Sequence, residues 1–159
     1  MENIDPRQRV MDAEASYRFL ESKTYIKNDA IGLIAWSWWA SSALFVLKVS
    51  RRFGLPSGGF KGAIAFYPNS NYLTNNPQWE RTGSIIQPAL ILYSRDDTLE
   101  SENSYNELLA EGHPGPLRVI GYKGVVRKFV ELGKLRTKSH PKIGEFKQGI
   151  LSIIVRRRS

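Results

Sequence analysis

The 159-residue chain has no cysteine, which excludes disulfides, thiol nucleophiles and zinc–thiolate sites. Histidine is scarce: His113 and His140 are the two imidazoles available as proton acceptors or ligands. No apolar run approaches the roughly 20 residues needed to span a bilayer. The longest, from Ile31 to Val49, is interrupted by serines and tryptophans. The opening Met-Glu-Asn-Ile-Asp-Pro lacks the basic and apolar regions of a secretory signal, so a cytoplasmic location without a membrane partner is expected. No phosphate-cradling glycine loop, metal-ligand spacing, internal repeat or low-complexity segment occurs, and no metal or other cofactor is expected.

A hydrophobic content of 42% with 24% charged residues is ordinary for a globular domain. The length suits one domain over 1–159 with a sizeable core. The net charge is +8, and much of it falls in the last third, at Lys123, Arg127, Lys128, Lys134, Arg136, Lys138, Lys142 and the Arg156-Arg157-Arg158 tail. A solvated basic face explains such a distribution. Charge alone does not define a nucleic-acid site, and nucleic acid is an unexpected partner.

Asp5-Pro6 supplies an N-cap and a first-turn proline, and Val10, Ala13, Tyr17 and Leu20 follow at helical spacing. Lys27-Asn28-Asp29 reads as a polar turn before a strand over about 30–35, apolar on both faces like a covered central strand. Ser37 then leads into an apolar helix through Ala43, Leu44 and Leu47 to about Phe53. A second strand is expected over 60–67, and a long stretch over 68–87 that is functional or hides a short helix. A third strand over 89–93 ends in Ser94-Arg95-Asp96-Asp97. Ser101 caps the next helix, with Tyr105, Leu108 and Leu109 facing inward and Gly112 closing it. A fourth strand covers 117–122. A last helix is expected from the apolar spacing of Ile143, Phe146, Ile150 and Ile153, its C-terminal dipole met by the arginine tail. Alternating strands and helices predict an α/β fold: three layers, a mostly parallel sheet of about four strands, and helices on both faces.

Ile31-Gly-Leu-Ile-Ala-Trp-Ser-Trp-Trp-Ala40 has the layout of a nucleophile elbow, a strand-to-helix turn that lifts a serine hydroxyl above the sheet. The G-x-S-x-G pattern places glycine two residues either side of the serine. Here those places hold Ala35 and Trp39. Trp36, Trp38 and Trp39 read either as the lining of an apolar pocket or as core filling.

With Gly62-Ala-Ile-Ala-Phe-Tyr-Pro68, Pro88-Ala-Leu-Ile-Leu-Tyr-Ser-Arg-Asp-Asp97 and Gly121-Tyr-Lys-Gly-Val-Val-Arg-Lys-Phe129, the elbow resembles the C-terminal part of the dienelactone hydrolase family of α/β-hydrolases. The resemblance covers most of the chain and implies a truncated α/β-hydrolase-like domain without the family's early strands. It also implies hydrolysis of small esters or lactones, without a cofactor, by a nucleophile, an acid and a histidine in that order. Ser37 falls on the nucleophile position. Asp97 falls on the acid position, with Asp96 one residue away as the alternative. The family's histidine position holds Arg127, which cannot accept a proton at neutral pH. His140, about a dozen residues further on, is then the histidine placed to act as base. The Trp38 N–H is the expected oxyanion donor, and the other donor belongs to the absent early part.

Two functional expectations follow. One is an impaired serine hydrolase of small esters or lactones, using Ser37, Asp97 and His140. The other is an inactive homologue that binds a small ligand or a partner through the old pocket, with Trp36 lining it and Arg127 offering charge to an anion. Missing strands would leave an exposed sheet edge, so a homo-oligomer is also expected.

Overall fold

A computed structural model describes residues 6–49, 59–75, 84–98, 101–125 and 151–157. The elements are α1 (Pro6–Glu21), β1 (Ile26–Trp36), α2 (Trp38–Val49), β2 (Ala63–Phe66), α3 (Ser70–Thr74), β3 (Ala89–Ser94), α4 (Glu102–Ala110), β4 (Leu117–Tyr122) and β5 (Leu151–Arg157). The sheet order is β4-β3-β2-β1-β5. β1 to β4 are parallel, with Ala35 opposite Ala65 and Ile91 opposite Val119. The expected α/β fold with its four-stranded parallel sheet is present.

β5 pairs antiparallel with β1, Leu151 opposite Ala35 and Val155 opposite Ile31. This corrects two expectations. Ile153, assigned to the face of a last helix, lies in a strand, and Arg156 and Arg157 extend that strand instead of ending a helix. Leu-Ser-Ile-Ile-Val is β-branched enough to prefer pairing once a free strand edge is in reach, and periodicity alone does not separate a short apolar strand from a helix. The β1 edge expected to be exposed is therefore occupied by β5, and among the described residues the sheet ends at β4 and β5. Lys27-Asn28-Asp29 lies within β1, where the pairing with β5 shifts register between Ile26 and Ile31.

Burial alternates along the strands. Ile31, Leu33 and Ala35, Ala63 and Ala65, and Ala89, Ile91 and Tyr93 are buried on one face. They share a single core with Val10, Ala13 and Tyr17 of α1, Leu44 and Leu47 of α2, Leu73 of α3, and Tyr105 and Leu108 of α4. Each large aliphatic side chain there contributes about 2 kcal/mol by leaving water. The opposite face, including Gly32, Ile34, Ile64 and Leu90, is only half-buried. A groove of about 530 Å³ runs over it, with Lys61 and Arg118 in its lining. Leu109, expected to face inward, is 43% exposed. It follows the buried Leu108 and points away from the α4 stripe.

The stretch after β2 does hide a short helix. The Asn69 side chain accepts from the Tyr72 N–H at 3.2 Å and starts α3. Ser101 likewise caps α4, and Gly112 follows it at φ +69°. No described helix is long and apolar enough to cross a membrane.

His113 proves to be a buried joint: its side chain is 2% exposed and its Nδ1 accepts the Ile85 N–H at 3.2 Å. The proton must then sit on Nε2, which lies 3.5 Å from Glu111 Oε2, itself 3.4 Å from the Lys48 Nζ. Burial is the main effect and lowers the His113 pKa from its ordinary 6.5, with Glu111 opposing the shift. The folded state therefore takes up this proton less readily than the unfolded chain. Its contribution to stability is full above pH 6.5 and is lost as pH falls below that value.

Two predictions follow from these contacts. Urea midpoints measured at pH 7.5 and 5.5 should show stability falling toward the lower pH, with a shallower fall in His113→Gln; identical slopes would contradict the assignment. A Cβ on Gly62 would meet the Pro88 carbonyl oxygen at 2.7 Å, backbone against backbone between neighbouring strands. Gly62→Ala should cost about 1–3 kcal/mol in the same assay.

Candidate active site

Ser37 connects the last residue of β1 to the first of α2 at φ +56°. This left-handed conformation is costly for a residue with a Cβ, about 1–2 kcal/mol. It persists because both sides of the turn are anchored. The Ser37 N–H donates to the Phe66 carbonyl at 2.9 Å, and the Ser37 carbonyl accepts from the Ala40 N–H at 2.9 Å and the Ser41 N–H at 3.4 Å. The turn of a nucleophile elbow thus forms with Ala35 and Trp39 in the glycine places. Ala35 fits because its methyl enters the core, where it is fully buried. Trp39 fits because its ring turns toward α1, where the Arg9 guanidinium carbon lies 4.7 Å from the ring centroid.

Trp38 and Trp39 open α2, so their N–H groups precede the first helical hydrogen bonds and have no acceptor within the helix. The helix dipole adds partial positive charge at the same place. The Trp38 N–H follows Ser37 directly, the position an oxyanion donor requires.

Trp36, Trp38 and Trp39 are half-buried, and none of the three fills the centre of the core. Trp36 stacks on Phe66 with centroids 5.4 Å apart and planes 6° from parallel. Trp38 packs against Tyr72 of α3 at 4.8 Å. Ser37 therefore lies between two residues that each belong to an aromatic pair.

β3 ends beside this edge, two strand steps from β1, or about 10 Å. The two candidate acids differ in their surroundings. Asp96 is exposed, and its Oδ2 accepts the Gly124 N–H at 2.7 Å, tying the turn after β3 to the turn after β4. Asp97 is half-buried, and its own N–H bonds the Ser94 carbonyl at 3.3 Å. Arg127 and His140 lie outside the described residues. Among the described residues, no cluster of three acidic or imidazole side chains forms a metal site.

Arg9 carries no signal in a motif search, yet it reaches the elbow. It is 6% exposed, donates from Nη1 to Ser42 Oγ at 3.0 Å, and lies 5.3 Å from the Trp38 ring centroid. Burial lowers its pKa from the ordinary value, with Tyr72 opposing that shift. The available signal was spacing: Arg9 precedes Ala13 and Tyr17 by four and eight residues, on the buried side of α1. Tyr67, directly after β2, was also missed. It repeats the Ser37 arrangement at φ +40°, donating its N–H to the Leu92 carbonyl at 2.7 Å.

Solved esterase structures share this fold. An esterase of Pyrobaculum calidifontis matches with a TM-score of 0.54 at 18% identity, over 76% of this chain and 53% of the esterase. For a Rhizomucor miehei esterase the values are 0.57, 18%, 76% and 52%, and for a Pyrococcus furiosus esterase 0.54, 15%, 76% and 54%. The chain thus spans about half the length of these esterases. No protein-family model matches the chain, and no curated protein matches it significantly. The likeness gives an α/β-hydrolase fold whose structural neighbours are esterases; it does not single out the dienelactone hydrolase branch.

The strain at Ser37 is measurable. Glycine relieves it and alanine retains it, so Ser37→Gly should be more stable than Ser37→Ala by about 1 kcal/mol. Equal denaturant midpoints for the two variants would contradict the positive φ.

Proposed function

We propose that the chain is a serine-type hydrolase of small carboxylic esters or lactones, with dienelactone hydrolase-like chemistry and a reduced rate. The observation that carries this reading is the Ser37 conformation, φ +56° between a parallel strand and a helix N-terminus. Ser37 Oγ attacks the ester carbonyl carbon while its proton passes to His140. The Trp38 N–H receives the developing oxyanion. Collapse breaks the ester C–O bond and returns the proton to the leaving alcohol, or to the ring-opened hydroxyl of a lactone. Water then hydrolyses the acyl-Ser37 by the reverse proton path.

Asp97 is favoured over Asp96 as the group that orients the imidazole, because it falls on the family's acid position without a gap from Pro88 and is half-buried where Asp96 is exposed. One imidazole with a hydrogen bond at each end can bridge a gap of two strand steps. The reduced rate follows from Arg127 at the family's histidine position, which leaves the base to a residue outside the matched motif. No metal or organic cofactor enters this reaction.

The second reading, an inactive homologue that holds a small ligand or partner in the old pocket, is favoured by the same Arg127. Its cation would suit an anionic ligand.

Hydrolysis of activated short-chain esters separates the two. Wild type should exceed Ser37→Ala by at least about 100-fold in kcat, and Asp97→Asn should fall well below Asp96→Asn. Equal rates for wild type and Ser37→Ala would leave the inactive reading.

A further inference from the structure

Arg9 is a buried cation with no carboxylate against it among the described residues. Its Nη1 donates to Ser42 Oγ, its Nε is buried without a hydrogen-bond partner, and its guanidinium carbon lies over the rings of both Trp38 and Trp39, 5.3 and 4.7 Å from their centroids. Burying a guanidinium this way contributes little to stability, and an apolar side chain of similar volume is often as good or better. What the arrangement does supply is a fixed geometry at one place. Ser42 Oγ, which accepts from Arg9, donates in turn to the Trp38 carbonyl at 3.3 Å. Trp38 is therefore held twice by the same group: at its ring by the guanidinium and at its backbone through Ser42. Tyr72 closes on the indole at 4.8 Å.

The geometry points to Arg9 as a positioning residue for the elbow, locking the first turn of α2 so that the Trp38 N–H faces the oxygen of a carbonyl attacked by Ser37. The role deepens the hydrolase reading and rests on it for its catalytic consequence, but the locking itself is a property of the fold. Arginine suits the role because its delocalised cation sits over two rings while its rigid fork donates in a fixed direction. Lysine, a point charge on a flexible stem, does neither.

The experiment therefore has two arms. Amide hydrogen exchange is followed at Ala40 and Ser41, whose N–H groups bond the Ser37 carbonyl, with Leu47 further along α2 as the reference. Arg9→Met should speed exchange at Ala40 and Ser41 about tenfold and leave Leu47 unchanged. Arg9→Lys should fall between wild type and Arg9→Met. Ser42→Ala, which cuts the link from the guanidinium to the Trp38 carbonyl and leaves the Arg9 side chain in place over the indoles, should move the same two amides and serves if Arg9→Met does not fold. In the second arm, ester hydrolysis by Arg9→Met should lose about tenfold or more in kcat with KM unchanged, as expected when an oxyanion donor is misplaced. Unchanged exchange at Ala40 and Ser41 in both variants overturns the positioning role. Faster exchange in a protein whose hydrolysis does not depend on Ser37 supports the lock and refutes the hydrolase reading instead.

Discussion

A non-glycine residue stays in the left-handed backbone region only where its neighbours hold it there, and Ser37 is held from both sides. Its N–H reaches across to the last carbonyl of β2, and its own carbonyl starts the hydrogen bonding of α2. The next strand repeats the device, with Tyr67 at positive φ donating to the Leu92 carbonyl of β3. The residue after β3, Arg95, makes the same bond across strands, its N–H donating to the Tyr122 carbonyl at the end of β4.

A chain of small hydroxyls fastens these loops together below the surface. Ser41 Oγ accepts from the Asn69 N–H, Ser70 Oγ accepts from the Ser101 N–H, and the Tyr105 hydroxyl donates to the Pro68 carbonyl. Ser41 and Ser70 are buried, where an unsatisfied hydroxyl would be costly and a satisfied one specifies a single geometry. At the far side of the edge the Ser94 hydroxyl donates to the Val125 carbonyl. The start of α2 is thus linked through the segment after β2 to the N-cap of α4.

The parallel strands were legible because each is a short apolar run bounded by turn residues, and β4 falls at the expected 117–122. The elbow was legible because a serine between a strand and an apolar helix is a local pattern. What escaped depends on partners far away in sequence. β5 takes its conformation from β1, over a hundred residues earlier, so Ile153 satisfied a helical period in a segment that forms a strand. Both faces of β1 are apolar in sequence, yet the described residues bury one of them much more deeply. The elbow pattern calls for glycine where this chain has Ala35 and Trp39. Ala35 and Trp39 are accommodated instead by the core and by Arg9, contacts that no local pattern reveals.

The proposed function depends on Ser37, held at a strained turn, being the reacting serine. Peptide mapping by mass spectrometry after incubation with a fluorophosphonate tests it most directly, because such a probe reacts with an activated serine and spares ordinary hydroxyls. The account predicts one phosphonylated residue, Ser37, with the adduct abolished in Ser37→Ala. Absence of any adduct, or modification spread equally over surface serines and tyrosines, would contradict it.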